Sequence, residues 1–411
     1  MQRPVWDDVL YASSKAFRTL VPLAQDRQPV TWQNAVQRHA YFVPFYFLAY
    51  LARRKDTYYM RILLLPTNMV ARADVLGRRR EMLRFRVNTR RPNEGWGDSI
   101  ARIARWVSQR CLQSSTSKHF PPPALADANE LVVALRGIGW KFGKNTYIPP
   151  EHRPLQRSSY LKSTFLQGVK NFLVFDFLLS VFREVPGVGT TNGGSIFFHS
   201  LPLAQRYLVS TFIVVLAGVF FLAGFAMADA IGALIGVGIL RHEPKDWPPL
   251  MGNPWAADSL HDFWARQWHQ NARRTFLIFG GIPGRMVAGS IGMVMGTFLG
   301  SGLFHEASMY LIDRGIDARG ILFFILNGVG LVFEWAVYKL TGRKVSGPLG
   351  RVWTWVFVLS LGQMLVDSWL VRGLGGSEII PLWLSPTRLW LFPAIPWLDT
   401  TIRPALLRFL R

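Results

Sequence analysis

Between residues 207 and 240 the chain carries a single charged side chain, Asp229. A run this apolar and this long needs a non-aqueous home. As one helix it would cover about 51 Å at roughly 1.5 Å per residue, well beyond the bilayer core of about 30 Å. It therefore reads as two packed or broken helices, with small residues around Asp229 marking the break. Further apolar runs lie at 164–182, which contains Asp176, and at 275–304, 320–340 and 349–371. The run at 275–304 is expected to break at Gly280, Gly281, Pro283 and Gly284, since proline removes a helix hydrogen bond, leaving 286–304 as the better span. The runs at 41–52 and 60–70 are short, fitting tilted, interfacial or re-entrant segments, and 381–397 reads as an interfacial or partial helix. The expected fold is all-α: a polytopic transmembrane helical bundle of about seven to nine membrane segments.

Composition agrees. Half of the 411 residues are hydrophobic and 18% are charged, against about a quarter charged in soluble domains. The net charge of +22 would raise nucleic acid as a partner in a soluble protein. Here the basic residues cluster beside apolar runs, as in Arg72, Arg78, Arg79, Arg80, Arg84, Arg86, Arg90 and Arg91. That placement fits anchoring to anionic lipid on the cytosolic side, with no nucleic acid, and it can steer a polyanionic co-substrate toward the membrane. Cys111 is the only cysteine, which excludes an intrachain disulfide and thiolate metal clusters; no metal is expected. Residues 1–30 lack the apolar core of a cleaved signal peptide.

Three regions follow: an N-terminal region with short membrane segments (1–74), a polar membrane-surface segment interrupted by Pro121, Pro122 and Pro123 (75–163), and a transmembrane core (164–411). No repeat is visible, so the inverted-repeat architecture of many transporters has no support. No obligate protein partner is evident.

Two strings carry candidate chemistry. In the first, running from Trp247 to Phe276, Ser259 followed by Asp262 has the form of a capping box, which satisfies free amides at a helix start. Helical spacing would put Asp262, Arg266, His269 and Arg273 on one face and Trp264, Trp268 and Asn271 on another. Composition alone favours an interfacial helix with Trp at the headgroups and snorkelling Arg. In the second, Gly292, Gly296 and Gly300 recur every four residues, a flat face for close packing of another helix. His305 and Glu306 follow, and ionisable residues at membrane depth are costly and functional candidates by default.

The order of residues narrows these alternatives. Phe263-Trp264-Ala265-Arg266-Gln267-Trp268-His269-Gln270 resembles the Phe-Trp-x-x-x-Trp-His-Gln motif of wax-synthase-like proteins, a branch of the membrane-bound O-acyltransferase superfamily. Ser301-Gly302-Leu303-Phe304-His305-Glu306 resembles the segment with that superfamily's intramembrane catalytic histidine. Arg136-Gly137-Ile138-Gly139-Trp140 is similar to a string in fungal members. The matches cover roughly residues 130 to 375.

The resemblance implies a fold with a central buried cavity and an acyl-CoA-dependent O-acyltransferase of the endoplasmic reticulum. It places His305 as the base, with His269 hydrogen-bonded to the acyl carbonyl or the acceptor, where many relatives carry Asn. Phe263, Trp264, Trp268, Gln270, Asn271 and Ser301 would line the lipid or acyl site, and Arg266 or Arg273 would meet coenzyme A phosphates. Absence of a Gly-x-Ser-x-Gly elbow points to direct attack rather than an acyl-enzyme. The fungal likeness implies acetyl-CoA as donor and a terpenoid or meroterpenoid alcohol as acceptor. The plant likeness implies wax esters of long-chain alcohols. A transporter or channel using Asp176, Asp229, His305 and Glu334 as a relay is the non-enzyme rival. It expects residues spread along a path, whereas the enzyme expects His269 and His305 at one cavity.

Overall fold

The computed structural model describes residues 136–138, 143, 146–312 and 314–410. The chain divides into two compact units, Met1–Asn145 and Thr146–Arg411, and every helix named here belongs to the second. The apolar runs at 41–52 and 60–70, the arginine-rich run, Cys111, and Gly139 and Trp140 lie outside the described residues.

The described residues form helices joined by loops, with no strand among them. Among the described residues, five helical segments are long and apolar enough to cross a membrane, and the chain is a multi-pass membrane protein. Helix α1 (Arg157–Glu184) packs along α2 (Leu203–Ala233). Against expectation, the run around Asp229 is one helix: α2 continues through a π-helical stretch, Leu234–Ile239, for 37 residues in all. It contains no proline, and its small residues receive a neighbour instead of marking a break. A Cβ on Gly236 would stand 2.1 Å from the Trp247 ring. A helix of this length exceeds the bilayer core and has to tilt or project from it.

The next segment corrects a second expectation. Short α3 (Leu260–Asp262) runs into a π-helical turn, Phe263–Gln267. After a non-helical stretch, α4 (Arg273–Phe276), a π turn (Leu277–Gly281) and α5 (Ile282–Leu311) follow. The helix does not break at Gly280 to Gly284, because the π turn just before Pro283 absorbs its missing N–H. The break is at Ala288 (φ −137°, ψ 31°) and Gly289 (φ 58°, ψ −138°), the latter in a conformation glycine adopts without steric cost.

There the chain reverses. A Cβ on Gly284 would lie 2.0 Å from the Gly292 carbonyl oxygen, one on Gly280 2.0 Å from that of Gly296, and one on Gly300 3.7 Å from that of Phe276. Each step of four on one limb is matched by a step of four on the other, the signature of an antiparallel hairpin. The glycine face read from the sequence thus receives its own chain. The first limb, 273–287, covers about 22 Å and the second, 290–311, about 33 Å at roughly 1.5 Å per residue, so only the second is long enough for a crossing.

Helices α6 (Ala318–Thr341) and α7 (Gly347–Val371) complete the bundle. The region 381–397 holds a 3₁₀ turn, Leu382–Leu384, and a short π-helical segment, Thr387–Leu391, a partial helix as read from the sequence, and α8 (Arg403–Leu410) ends the described chain. Leu178, Phe182, Ile213, Val214, Val366 and Leu370 form the main apolar core between α1, α2 and α7. Leu208, Phe212, Val287 and Leu349 are well exposed, as side chains facing lipid are.

Asp317 and Asp367 share one arginine, Arg319. Asp367 accepts from Ser195 Oγ at 2.7 Å and from the Ile196 amide at 2.9 Å, and it pairs with Arg319. Burial opposes the charge of Asp317, but hydrogen bonds from Arg319 outweigh it and bring its carboxyl down to about 2.

Candidate active site

Ser259 caps the motif helix as read from the sequence, its Oγ accepting from the Asp262 amide at 3.0 Å. The adjoining amides are satisfied from elsewhere. Buried Glu334 on α6 accepts from Leu260 N at 2.7 Å and His261 N at 3.0 Å, and from Trp353 Nε1 at 3.0 Å. A carboxylate placed at free helix amides is a strong, charge-assisted contact. Glu334 therefore docks the motif, as Asp176 docks the C-terminal region by accepting from the Thr387 amide at 2.9 Å.

The motif helix ends early. Trp268 has extended backbone, φ −81° and ψ 156°, so Asp262, Arg266, His269 and Arg273 do not share a helical face. The turn is closed by Gln270, whose buried side-chain amide donates to the carbonyls of Trp264 and Trp268, both at 2.9 Å. Trp264 is oriented by fully buried Asn327 of α6, whose Oδ1 accepts from the indole at 2.9 Å. Phe263 and Trp268 stack at 5.6 Å, and His269 lies 4.4 Å from the ring of Phe225 on α2.

A cavity of about 560 Å³ opens between α2, the motif, the second hairpin limb, α6 and α7. His269 and His305 both line it, with Phe263, Trp264, Trp268, Gln270, Arg273 and Ser301. Arg266 and Asn271 are not among its lining residues: Arg266 is 58% exposed and 3.8 Å from Asp262. The rest of the wall is mostly apolar and includes Phe323, Phe324, Trp355 and Trp369, which the sequence reading had not singled out. Asn327, which orients Trp264 without lining the cavity, was detectable as an amide inside an apolar run.

His305 Nδ1 is 2.8 Å from the Ser301 carbonyl oxygen. A carbonyl only accepts, so Nδ1 carries a proton, and in the neutral ring Nε2 keeps its lone pair. The ring stacks on Phe324 at 4.5 Å. His269 is buried, Nδ1 having no hydrogen-bond partner. Burial, with His305 as the second cause, holds its imidazole down to about 4, so it is neutral at physiological pH. The arrangement supplies a neutral imidazole with a free lone pair beside a second neutral imidazole in an apolar chamber, which suits proton removal from a hydroxyl.

Comparison with known proteins coincides with this geometry. The model of the membrane bound O-acyl transferase family matches residues 247–326, the stretch that carries both histidines. Over that stretch the chain is similar to the membrane-bound O-acyltransferase family. That match supports an O-acyltransferase enzyme, with acyl-CoA as the expected co-substrate and an alcohol as acceptor. It is 26% identical over 295 residues to acetyltransferase ple2 of Rhodocybe pseudopiperita, covering 68% of this chain and 72% of that protein. It is 25% identical over 276 residues to acetyltransferase eriL of Hericium erinaceus, covering 63% and 70%. A shorter match, 32% over 124 residues, covers 28% of this chain and 36% of a probable long-chain-alcohol O-fatty-acyltransferase 7 of Arabidopsis thaliana.

Proposed function

We propose that this O-acyltransferase moves an acetyl group from acetyl-CoA to the hydroxyl of a lipophilic alcohol of the terpenoid or meroterpenoid class, in the endoplasmic reticulum membrane. The observation that carries the chemistry is the shared cavity of His269 and His305. The apolar, aromatic wall supports a lipophilic acceptor. The names of the two fungal relatives support acetyl, and the likeness of Arg136 to Trp140 to a string of fungal members supports the terpenoid class.

His305 Nε2 takes the proton as the hydroxyl oxygen attacks the thioester carbonyl carbon. The C–S bond then breaks, and the proton passes from His305 to the departing thiolate. His269 holds the acceptor or the acyl carbonyl beside it, Phe263, Trp264 and Trp268 shape the chamber, and Arg273 meets the coenzyme A phosphates. Long-chain ester synthesis is the second reading, supported by the Arabidopsis match.

Purified protein in detergent, given acetyl-CoA or palmitoyl-CoA with farnesol, hexanol or hexadecanol, separates the two readings by the ester formed. His305→Ala should fold and lose about 10²- to 10⁴-fold in turnover, the usual contribution of a positioned base. Near-normal turnover in that variant would remove His305 from the base role.

A further inference from the structure

Three residues of the cavity wall carry a buried polar atom with no hydrogen-bond partner: His269 Nδ1, Gln270 Oε1 and Trp369 Nε1. Gln270 Oε1 can only accept, and His269 Nδ1 can do either according to its tautomer. The indole N–H of Trp369 can only donate. Buried polar groups are nearly always paired, and an orphan inside a binding chamber points to a partner that arrives with the ligand.

Trp369 also stands beside the base. Its ring lies 6.5 Å from the His305 ring, with planes 21° apart, and Phe221 packs edge-on against it at 5.3 Å. The turn that carries it is fixed to the helix of His305. Arg372, three residues on, donates to Glu306 at 2.6 Å and 3.2 Å, to Ser368 Oγ at 3.0 Å and to the Ser368 carbonyl at 3.0 Å. Glu306 is the immediate neighbour of His305. The donor and the base are thus held on opposite helices by one clamp.

We propose that Trp369 Nε1–H donates to the thioester carbonyl oxygen and strengthens that bond as the oxygen becomes an oxyanion. This rests on the acyl-transfer reading. When the hydroxyl oxygen bonds to the carbonyl carbon, the C=O electron pair moves onto oxygen facing the indole, and the alcohol proton goes to His305 Nε2. When the C–S bond breaks, the pair returns and the thiolate takes that proton. A neutral donor in an apolar chamber is effective because no water competes for the oxyanion.

The test removes the N–H while keeping an aromatic side chain. Trp369→Phe in the full-length protein should lower kcat for acetyl transfer to farnesol by about 10²-fold, the effect typical of losing one such donor. The acceptor KM should stay within about twofold and the pH profile keep its shape, since the base is untouched. The ketone analogue of acetyl-CoA with CH₂ between sulfur and carbonyl should bind the variant more weakly by calorimetry, with Tm unchanged. Should Trp369→Phe fail to fold, 3-benzothienylalanine at this position keeps the bicyclic shape without the N–H. Normal kcat and normal analogue binding in the variant overturn the proposal and leave acyl transfer standing. A parent protein that transfers neither acetyl nor palmitoyl and does not bind the analogue removes the acyl-transfer reading, and this proposal with it.

Discussion

Glu306 and Arg372 form a two-pronged ion pair, 2.6 Å and 3.2 Å, between the helix of His305 and the end of α7. Both side chains are largely buried, and Glu306 Oε1 also accepts from the Asp317 amide at 2.6 Å. Breaking one partner of such a pair leaves a bare buried charge. Glu306→Ala or Arg372→Ala should cost about 3–5 kcal/mol, measured as lost Tm in detergent. Glu306→Gln combined with Arg372→Gln should recover part of that loss. Single variants as stable as the parent would show that the pair does not clamp the two helices.

Gly218 of α2 lines the cavity, and a Cβ there meets nothing within 4 Å among the described residues, whereas Gly224 and Gly236 of the same helical run press on Phe175 and Trp247. Packing gives no reason for this glycine, which costs a helix interior about 1 kcal/mol relative to alanine. Its lost side chain widens the chamber. Gly218→Ala should keep or raise Tm. Gly218→Leu should reduce kcat/KM for farnesol by more than about tenfold, a size effect ordinary for apolar pockets, with hexanol little affected. Equal losses for both alcohols would exclude a role in acceptor size.

Arg273 lines the cavity, while Arg266 is mostly exposed beside Asp262. Arg273→Ala should therefore raise the KM for acetyl-CoA several-fold and leave the acceptor KM unchanged. Ionic contacts weaken with salt, so raising ionic strength should weaken donor binding more in the parent than in this variant. Arg266→Ala should match the parent in both constants. Parallel changes in donor and acceptor KM would mean that Arg273 supports the fold instead.

His269 titrates near 4 in the folded chain and near 6.5 when unfolded. Between those values the unfolded chain binds a proton that the folded chain refuses. Stability is thus full above about pH 6.5 and falls as pH drops toward about 4. Melting curves across that window should be flatter for His269→Gln than for the parent. Identical acid-side slopes would show that His269 is not the group responsible.

The spans were legible because each is a long apolar run, and the Ser259 cap because its geometry is local. The glycine face was legible too, since a repeat of four needs only the helix itself. Its partner was not: nothing in 273–287 announces that it folds back, because proline and glycine at 280–284 signal a break more loudly than Ala288 and Gly289 do. Local spacing likewise could not tell that the motif helix stops at Gln267, since Gln270 closes it with contacts made after the chain has turned. Glu334 was visible as a buried charge, but its role depends on amides 73 and 74 positions away. Trp369 is one of 16 tryptophans, and only the unpaired N–H sets it apart.

The hairpin at Ala288 and Gly289 also fixes a length. Because residues 276 and 300 face each other across it, the number of residues on each limb determines how far His269 stands from His305. One residue inserted in either limb would slide that limb by about 1.5 Å and rotate everything beyond it by roughly a quarter turn. An insertion at the tip, beside Gly289, alters neither limb. The spacing between the two strings thus behaves as a ruler that tolerates change only at its fold.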